Sequence, residues 1–493
     1  MTKRITAAGV TLDLNLMQLD GDTLAGYGER IAAATAEMTA LEAGEAVNKD
    51  EGRQVGHYWL RNPDIAPAEL QAEITATWSA MSDFATQAFA GRFQNILWIV
   101  IGGSGLGPQL MYDALRVPGS TPAMYFFDNT DPFGFQRTLQ DIAHAGGLGQ
   151  TLTVVVSKSG GTPETANGMK VAMAEYEKAG LNFADHAAAV TMFGSKLFQL
   201  AESWLQRFTI WDWVGGRTSL FSAVGLLPAA LLGFDSEKFI AGAKAMDDAT
   251  RGSDLATNPA LQLAATWFHT VETRGLKNMV VLPYADRISM MAKYLQQLVM
   301  ESIGKDGKGI SVFGNKGSTD QHSYIQQLRD GYQDFFAVFL RVLDPEADQW
   351  EVEPGVTAGD YLMAFQSGTA QALSETGRPS LCITVDRFDE TILGALIALF
   401  ERTVGFYGAM LGVNSYHQPG VEAGKKAAGA VLTRQAAVLK HISADTSVEN
   451  LLQNADALDA FVKSVCSAEQ LESLDADFVA DLLNRLRVAG RLK

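Results

Sequence analysis

"NILWIVIGGSGLGPQLMYDAL", residues 95–115, decides how the rest of the chain is read. The run Ile96 to Ile101 is apolar without alternation, so it predicts a strand buried on both faces. It meets a glycine turn at Gly102, Gly103, Ser104 and Gly105, and a helical pattern follows. A doubly buried strand that turns straight into a helix is the first half of a βαβ unit. Similar units follow at "AMYFFDNTDP" (123–132), "TLTVVVSKSGGT" (151–162), "AAAVTMFGS" (187–195) and "FTIWDWVGGR" (208–217). A second series begins near residue 276, with "NMVVLPYAD", "GISVFGN", "DFFAVFLRVL" and "SLCITVDRF". Strands alternating with helices predict an α/β protein with mostly parallel sheets covered on both faces.

Working outward, 493 residues with 47% hydrophobic content exceed one ordinary core. We read four parts. Residues 1–90 form a helical segment without strand rhythm, as in "GERIAAATAEMTALEAGEAV". Residues 91–240 form a first α/β domain, and residues 255–435 a second. Residues 436–493 form a helical extension. The boundary between the α/β domains falls in the mixed-charge helical stretch around "DSEKFIAGAKAMDDATRGSD".

The formal net charge of −17 and the lack of a basic run argue against nucleic-acid binding. Two cysteines, Cys382 and Cys466, make no C-x-x-C pair, and seven histidines show no ligand spacing, so no metal site is expected. The N-terminal residues lack a signal peptide's apolar core, and "LFSAVGLLPAALLGF" is too short to span a bilayer and contains Pro228. The expectation is a soluble, cytoplasmic protein with no membrane partner.

Ligands of open parallel sheets sit beyond the carboxyl ends of the strands, where "IGGSGLGP" and "SKSGGTPET" both fall. A dinucleotide fingerprint from Gly103 fails at Pro108. Neither Gly304-Lys305 nor Gly424-Lys425 precedes Ser or Thr, as a Walker loop requires. A small phosphate remains. Ser157, Ser159 and Thr162 offer hydroxyls, glycines let backbone N–H groups approach, and Pro163 opens a helix whose N-terminus favours an anion. The same residues also fit a plain Ser/Thr helix cap. Lys158 favours the anion.

Glu301 ends an apolar helix, where the helix dipole disfavours a carboxylate. A partly desolvated glutamate there suits a general base, but also an ordinary frayed end. His322, at a helix start in "GSTDQHSYIQQLRDG", fits a proton shuttle or a structural hydrogen bond. Arg217, after two glycines, fits an oxyanion clamp or a surface ion pair. Gln418 and Lys425 follow in "NSYHQPGVEAGKK", a stretch that alone would read as a solvated helix face.

Together "IGGSGLGP", "SKSGGTPET", "VGGRTSLFSAVG", "QQLVMESIGK", "GSTDQHSYIQQLRDG" and "NSYHQPGVEAGKK" resemble, in order and spacing, the glucose-6-phosphate isomerase family. The resemblance runs from about residue 50 to about residue 430. It implies two tandem sugar-isomerase-type three-layer α/β/α domains and a homodimer that uses no cofactor. It implies interconversion of glucose 6-phosphate and fructose 6-phosphate through an enediolate, in glycolysis and gluconeogenesis. By motif, Ser157, Lys158, Ser159 and Thr162 match the phosphate loop, and Gly103 and Ser104 the turn lining the sugar. Glu301 matches the base between C2 and C1, and Arg217 the enediolate clamp. Gln297 and Gln418 match polar contacts to substrate. His322 and Lys425 match the ring-opening residues, the histidine coming from the neighbouring subunit.

Some positions depart from the family pattern. Ser159 stands where many members carry Thr, "GSTDQH" replaces a common Gly-Thr-Asn-Gly-Gln-His pattern, and His417 stands where Asp is frequent. Two other readings stay open: a dual-specificity phosphoglucose/phosphomannose isomerase, and a non-catalytic sugar-phosphate-binding regulator.

Overall fold

The computed structural model describes residues 3–20, 22–119, 122–314, 316–346, 350–443 and 446–492. The chain opens on a hairpin, not on a helix. Strands β1 (Arg4–Ala7) and β2 (Val10–Asp13) pair antiparallel, which corrects the expectation of a helical start without strands. Val10 and Leu12 are buried between the partly exposed Thr11 and Asp13. That alternation spans four residues, too few to stand out in a sequence scan.

The first sheet is wholly parallel. Its strands are β3 (Asn95–Ile99), β4 (Ala123–Phe127), β5 (Thr151–Val156), β6 (Ala187–Thr191) and β7 (Gln206–Thr209), in the order β4-β3-β5-β6-β7. Both faces are buried: Ile96 and Trp98 enter one core, Leu97 and Ile99 another. This is why the strand reads as a continuous apolar run.

The second sheet contains β8 (Asn278–Tyr284), β9 (Ser311–Phe313) and β10 (Phe335–Val342). A short ribbon, β11 (Glu351–Glu353) and β12 (Val356–Thr357), stands apart from it, and β13 (Ser380–Val385) completes it. The order is β1-β2-β13-β10-β8-β9, with β2 antiparallel to β13 and the inner strands parallel. The architecture is two three-layer α/β/α sandwiches with helical additions, as expected. Helix Glu390–Leu411 is long and apolar enough to cross a membrane, which the sequence reading overlooked. It is the central core helix, packed against helices Ser236–Ala249 and Pro259–Phe268.

Residues 1–417 form one compact unit and 418–493 another. Among its described residues the second unit has four helices, Pro419–Lys440, Val448–Gln453, Ala455–Glu469 and Ala476–Val488, around Val438, Val465, Val479 and Leu483. The first of these helices runs straight through residue 436, where the sequence reading began the extension. Only its last turns, Ala437 and Val438 among them, enter that core, so the shift in composition fell inside a helix.

Candidate active site

The order β4-β3-β5 places a topological switch point between β3 and β5, where open α/β sheets bind ligands. Both glycine turns leave these strands. After β3 the chain enters helix Gly103–Leu115. A Cβ on Gly103 would stand 2.4 Å from the Gly216 carbonyl and 2.6 Å from the Arg217 nitrogen, so only glycine lets the turn lie on the Arg217 segment. Ser104 Oγ donates to the Ile101 carbonyl at 3.0 Å, so its hydroxyl serves the turn itself.

After β5, helix Pro163–Lys178 starts with Thr162 in the N-cap position and proline in its first turn. The Thr162 side chain accepts no bond from the helix, so the plain capping explanation does not hold. Its Oγ1 accepts instead from Ser157 Oγ at 3.4 Å, and Gly161 N–H donates to Ser159 Oγ at 3.2 Å. Gly160 has φ +68°, and a Cβ there would stand 2.4 Å from the Leu197 nitrogen. The result is a tight, hydroxyl-lined turn at a helix N-terminus, the kind of place that favours an anion. Lys158 sends its Nζ to the carbonyls of Asp212 (2.6 Å) and Val214 (2.9 Å). Burial, and then the charge of Arg53, bring its pKa down to about 8.

Arg217 is 4% exposed and fully engaged. Nε donates to Ser302 Oγ at 2.7 Å, Nη1 to Glu301 Oε1 at 3.1 Å, and Nη2 to the carbonyls of Ser415 (2.6 Å) and His417 (3.3 Å). Burial pulls its pKa below the ordinary arginine value, and the Glu301 carboxylate opposes that shift. Glu301 Oε2 accepts from Gln297 Nε2 at 2.8 Å, one helical turn earlier on helix Met291–Ile303. Its side chain keeps 20% of its surface open, against 3% for Arg217. A partly open carboxylate beside a sequestered guanidinium suits proton transfer next to a developing oxyanion.

The same helix is held from behind. Tyr294 Oη donates to Glu401 Oε1 at 3.2 Å, inside a buried ionic cluster that also includes Arg61, Asp247 and Arg402. Lys305 donates to the Ser302 carbonyl at 2.9 Å and to the Asn414 carbonyl. Burial, and then Arg217, bring its pKa down to about 8.

The structure brings Gly103, Arg217, Gln297 and Glu301 together, and Lys158 ties the turn after β5 to the segment before Arg217. His322 lies elsewhere. Its loop sits at the carboxyl end of β8, where Gly317 N–H donates to the Pro283 carbonyl. Glu301 lies at the amino end, since its helix leads into β9 beside Lys277. Seven strand residues, roughly 20 Å, separate those ends. His322 is exposed there. Gln418 and Lys425 belong to the second unit, on and just inside the start of helix Pro419–Lys440. His417 supplies its carbonyl to Arg217, and its Nε2 stands 3.8 Å from Asp50 Oδ2. Among the described residues, no group of three or more His, Cys, Asp or Glu is arranged to hold a metal ion.

A family model described as phosphoglucose isomerase matches residues 23–349 and 365–452. The chain belongs to the phosphoglucose isomerase family. It is 50% identical over 466 residues to the glucose-6-phosphate isomerase of Rippkaea orientalis (strain PCC 8801 / RF-1), covering 91% of this chain and 88% of that one. The glucose-6-phosphate isomerase of Geobacter sp. (strain M21) is 54% identical over 431 residues, covering 83% and 81%. The crystal structure of a glucose-6-phosphate isomerase from Chlamydia trachomatis superposes with a TM-score of 0.82 at 27% identity, covering 88% of this chain and 90% of that one.

Sequence reading of this phosphoglucose isomerase family member missed Ser302, Lys305 and Arg53. Ser302 stands next to Glu301 and was readable only as a helix residue. Lys305 and Arg53 act on backbone carbonyls, which leave no mark in a motif.

Proposed function

We propose that Glu301 and Arg217 carry the interconversion of glucose 6-phosphate and fructose 6-phosphate, the activity of this family's curated members. The observation that carries the assignment is the 3.1 Å contact between the partly open Glu301 carboxylate and the buried Arg217 guanidinium at the switch point. With the sugar ring open, Glu301 takes the C2 proton of glucose 6-phosphate and the electron pair moves into an enediolate. Arg217 stabilises the oxyanion more strongly in the transition state than in the ground state. Glu301 returns the proton to C1 while the hydroxyl proton passes from O2 to O1, and fructose 6-phosphate results. Gln297 holds the carboxylate in place. C1 is reduced as C2 is oxidised, so no external oxidant or reductant is needed.

Ser157, Ser159, Thr162 and the N–H groups opening helix Pro163–Lys178 hold the phosphate, while Gly103 and Ser104 line the sugar. Holding the unreactive end fixes C2 against Glu301. The Ser159→Ala/Thr162→Ala double variant is expected to raise KM for fructose 6-phosphate about 10²-fold with little change in kcat, each lost charge-assisted bond contributing about 1.5 kcal/mol. An unchanged KM in steady-state assays would remove the phosphate from this turn.

By their match to the family motifs, ring opening is assigned to His322 and Lys425, and Gln418 to a polar contact with the substrate. The separation of His322 from Glu301 supports a homodimer in which each site takes His322 from the neighbouring copy. Unpaired Cys382 and Cys466 suit a reducing, cytoplasmic setting. Two inactive variants, Glu301→Gln and His322→Ala, are expected to regain activity when unfolded together and refolded. Each mixed dimer then holds one intact site, giving about a quarter of wild-type activity on random pairing. No recovery would put both residues in one subunit's site.

A further inference from the structure

By motif, Lys158 belongs with the phosphate ligands, yet its ammonium is engaged elsewhere. It donates to the carbonyls of Asp212 (2.6 Å) and Val214 (2.9 Å). Arg53 Nη1 donates to the same Asp212 carbonyl at 2.5 Å, and Glu51 holds Arg53 through Nε at 2.7 Å. Gly56 N–H donates to the Trp213 carbonyl at 3.2 Å. The carbonyls of residues 212, 213 and 214 are therefore all bonded to donors from other segments. Gly215, Gly216 and Arg217 come next. Two consecutive glycines do not fix their own backbone, so the direction of the chain into Arg217 depends on what anchors the residues before them.

The other end of Lys158 is firm. Its carbonyl accepts Met192 N–H at 3.1 Å, and the preceding Ser157 carbonyl accepts Thr191 Oγ1 at 2.7 Å. Lys158 therefore spans from the fixed base of the phosphate turn to the segment that delivers the enediolate clamp.

We propose that Lys158 is a positioning residue, a strut that sets Arg217 relative to the phosphate turn, with Arg53 as its second arm. Lys158 acts on the reaction through Arg217 and does not hold the phosphate. This rests on the isomerase reading above. The phosphate is left to hydroxyls and backbone N–H groups, and the strut fixes the distance between the held end of the sugar and the cation that meets its reacting end. Misplacing a catalytic group by about 1 Å lowers rate by about 10²-fold without touching the handle by which substrate is held.

The test uses full-length Lys158→Met, Lys158→Arg and Arg53→Met. Turnover is read with fructose 6-phosphate. Binding is read by calorimetry with sorbitol 6-phosphate, which carries the phosphate but no carbonyl. Lys158→Met is expected to lose about 10²-fold in kcat while its Kd for sorbitol 6-phosphate stays within about threefold of wild type. Lys158→Arg, whose fork reaches two carbonyls, is expected to recover most of that kcat. Arg53→Met is expected to lower kcat with the same unchanged Kd, and it carries the test if Lys158→Met does not fold. A Kd weakened about tenfold or more with kcat retained, in either methionine variant, would make the cation a phosphate ligand and overturn the strut. Wild-type protein that neither bound sorbitol 6-phosphate nor turned over fructose 6-phosphate would overturn the isomerase reading, and the strut with it.

Discussion

Glu301→Gln is expected to lower kcat for isomerisation by about 10²–10⁴-fold or more, the range a positioned general base supplies. The glutamine keeps the shape and still accepts from Arg217, so the buried guanidinium remains satisfied by Ser302, Ser415 and His417. What disappears is the ability to take a proton from carbon. Two readouts separate this from a structural defect. Exchange of the C2 proton of glucose 6-phosphate with deuterated water, followed by NMR, should stop. Interconversion of the sugar's anomers should continue, because the proposed ring-opening residues, His322 and Lys425, are untouched. Binding of sorbitol 6-phosphate should also persist. If exchange, anomer interconversion and binding all vanished together, Glu301 would be a residue that shapes the site.

Arg217→Lys is expected to lower kcat by about 10²–10³-fold, the effect of losing a preorganised oxyanion partner. The charge is conserved, but the fork is not. The guanidinium meets Ser302, Glu301, Ser415 and His417 from three nitrogens at fixed angles. One ammonium cannot reach all four. The carbonyl of Ser415 or the hydroxyl of Ser302 is left unpaired in a buried place, so thermal or urea unfolding should show a loss of about 1–3 kcal/mol. KM should change far less than kcat, since the proposed phosphate contacts at the turn after β5 are left intact. A variant with wild-type kcat and only reduced stability would make Arg217 a structural cation.

These two residues also show what could be read from the letters. The strands were legible because each is buried on both faces, so Ile96 to Ile99 and Met279 to Leu282 contain no polar break. The two glycine turns were legible because they interrupt such runs at their carboxyl ends. Glu301 and Arg217 stood out singly as charges in apolar surroundings, but their contact joins residues 84 positions apart and needed the fold. The hairpin β1–β2 was too short to register. The break at residue 417 was hidden because a helix runs across the expected boundary. Lys158 was recognised by its neighbours, whereas its partners are backbone carbonyls that any sequence carries. The placement of His322 at the far end of β8 follows from the course of helix Met291–Ile303 between β8 and β9, which only topology fixes.

The most direct measurement is turnover of fructose 6-phosphate by the purified full-length protein without added metal, followed by NMR in deuterated water. The account predicts glucose 6-phosphate as the product, with deuterium entering at C2 and no comparable yield of mannose 6-phosphate. Folded protein that formed no glucose 6-phosphate, or that formed mannose 6-phosphate as readily, would contradict it.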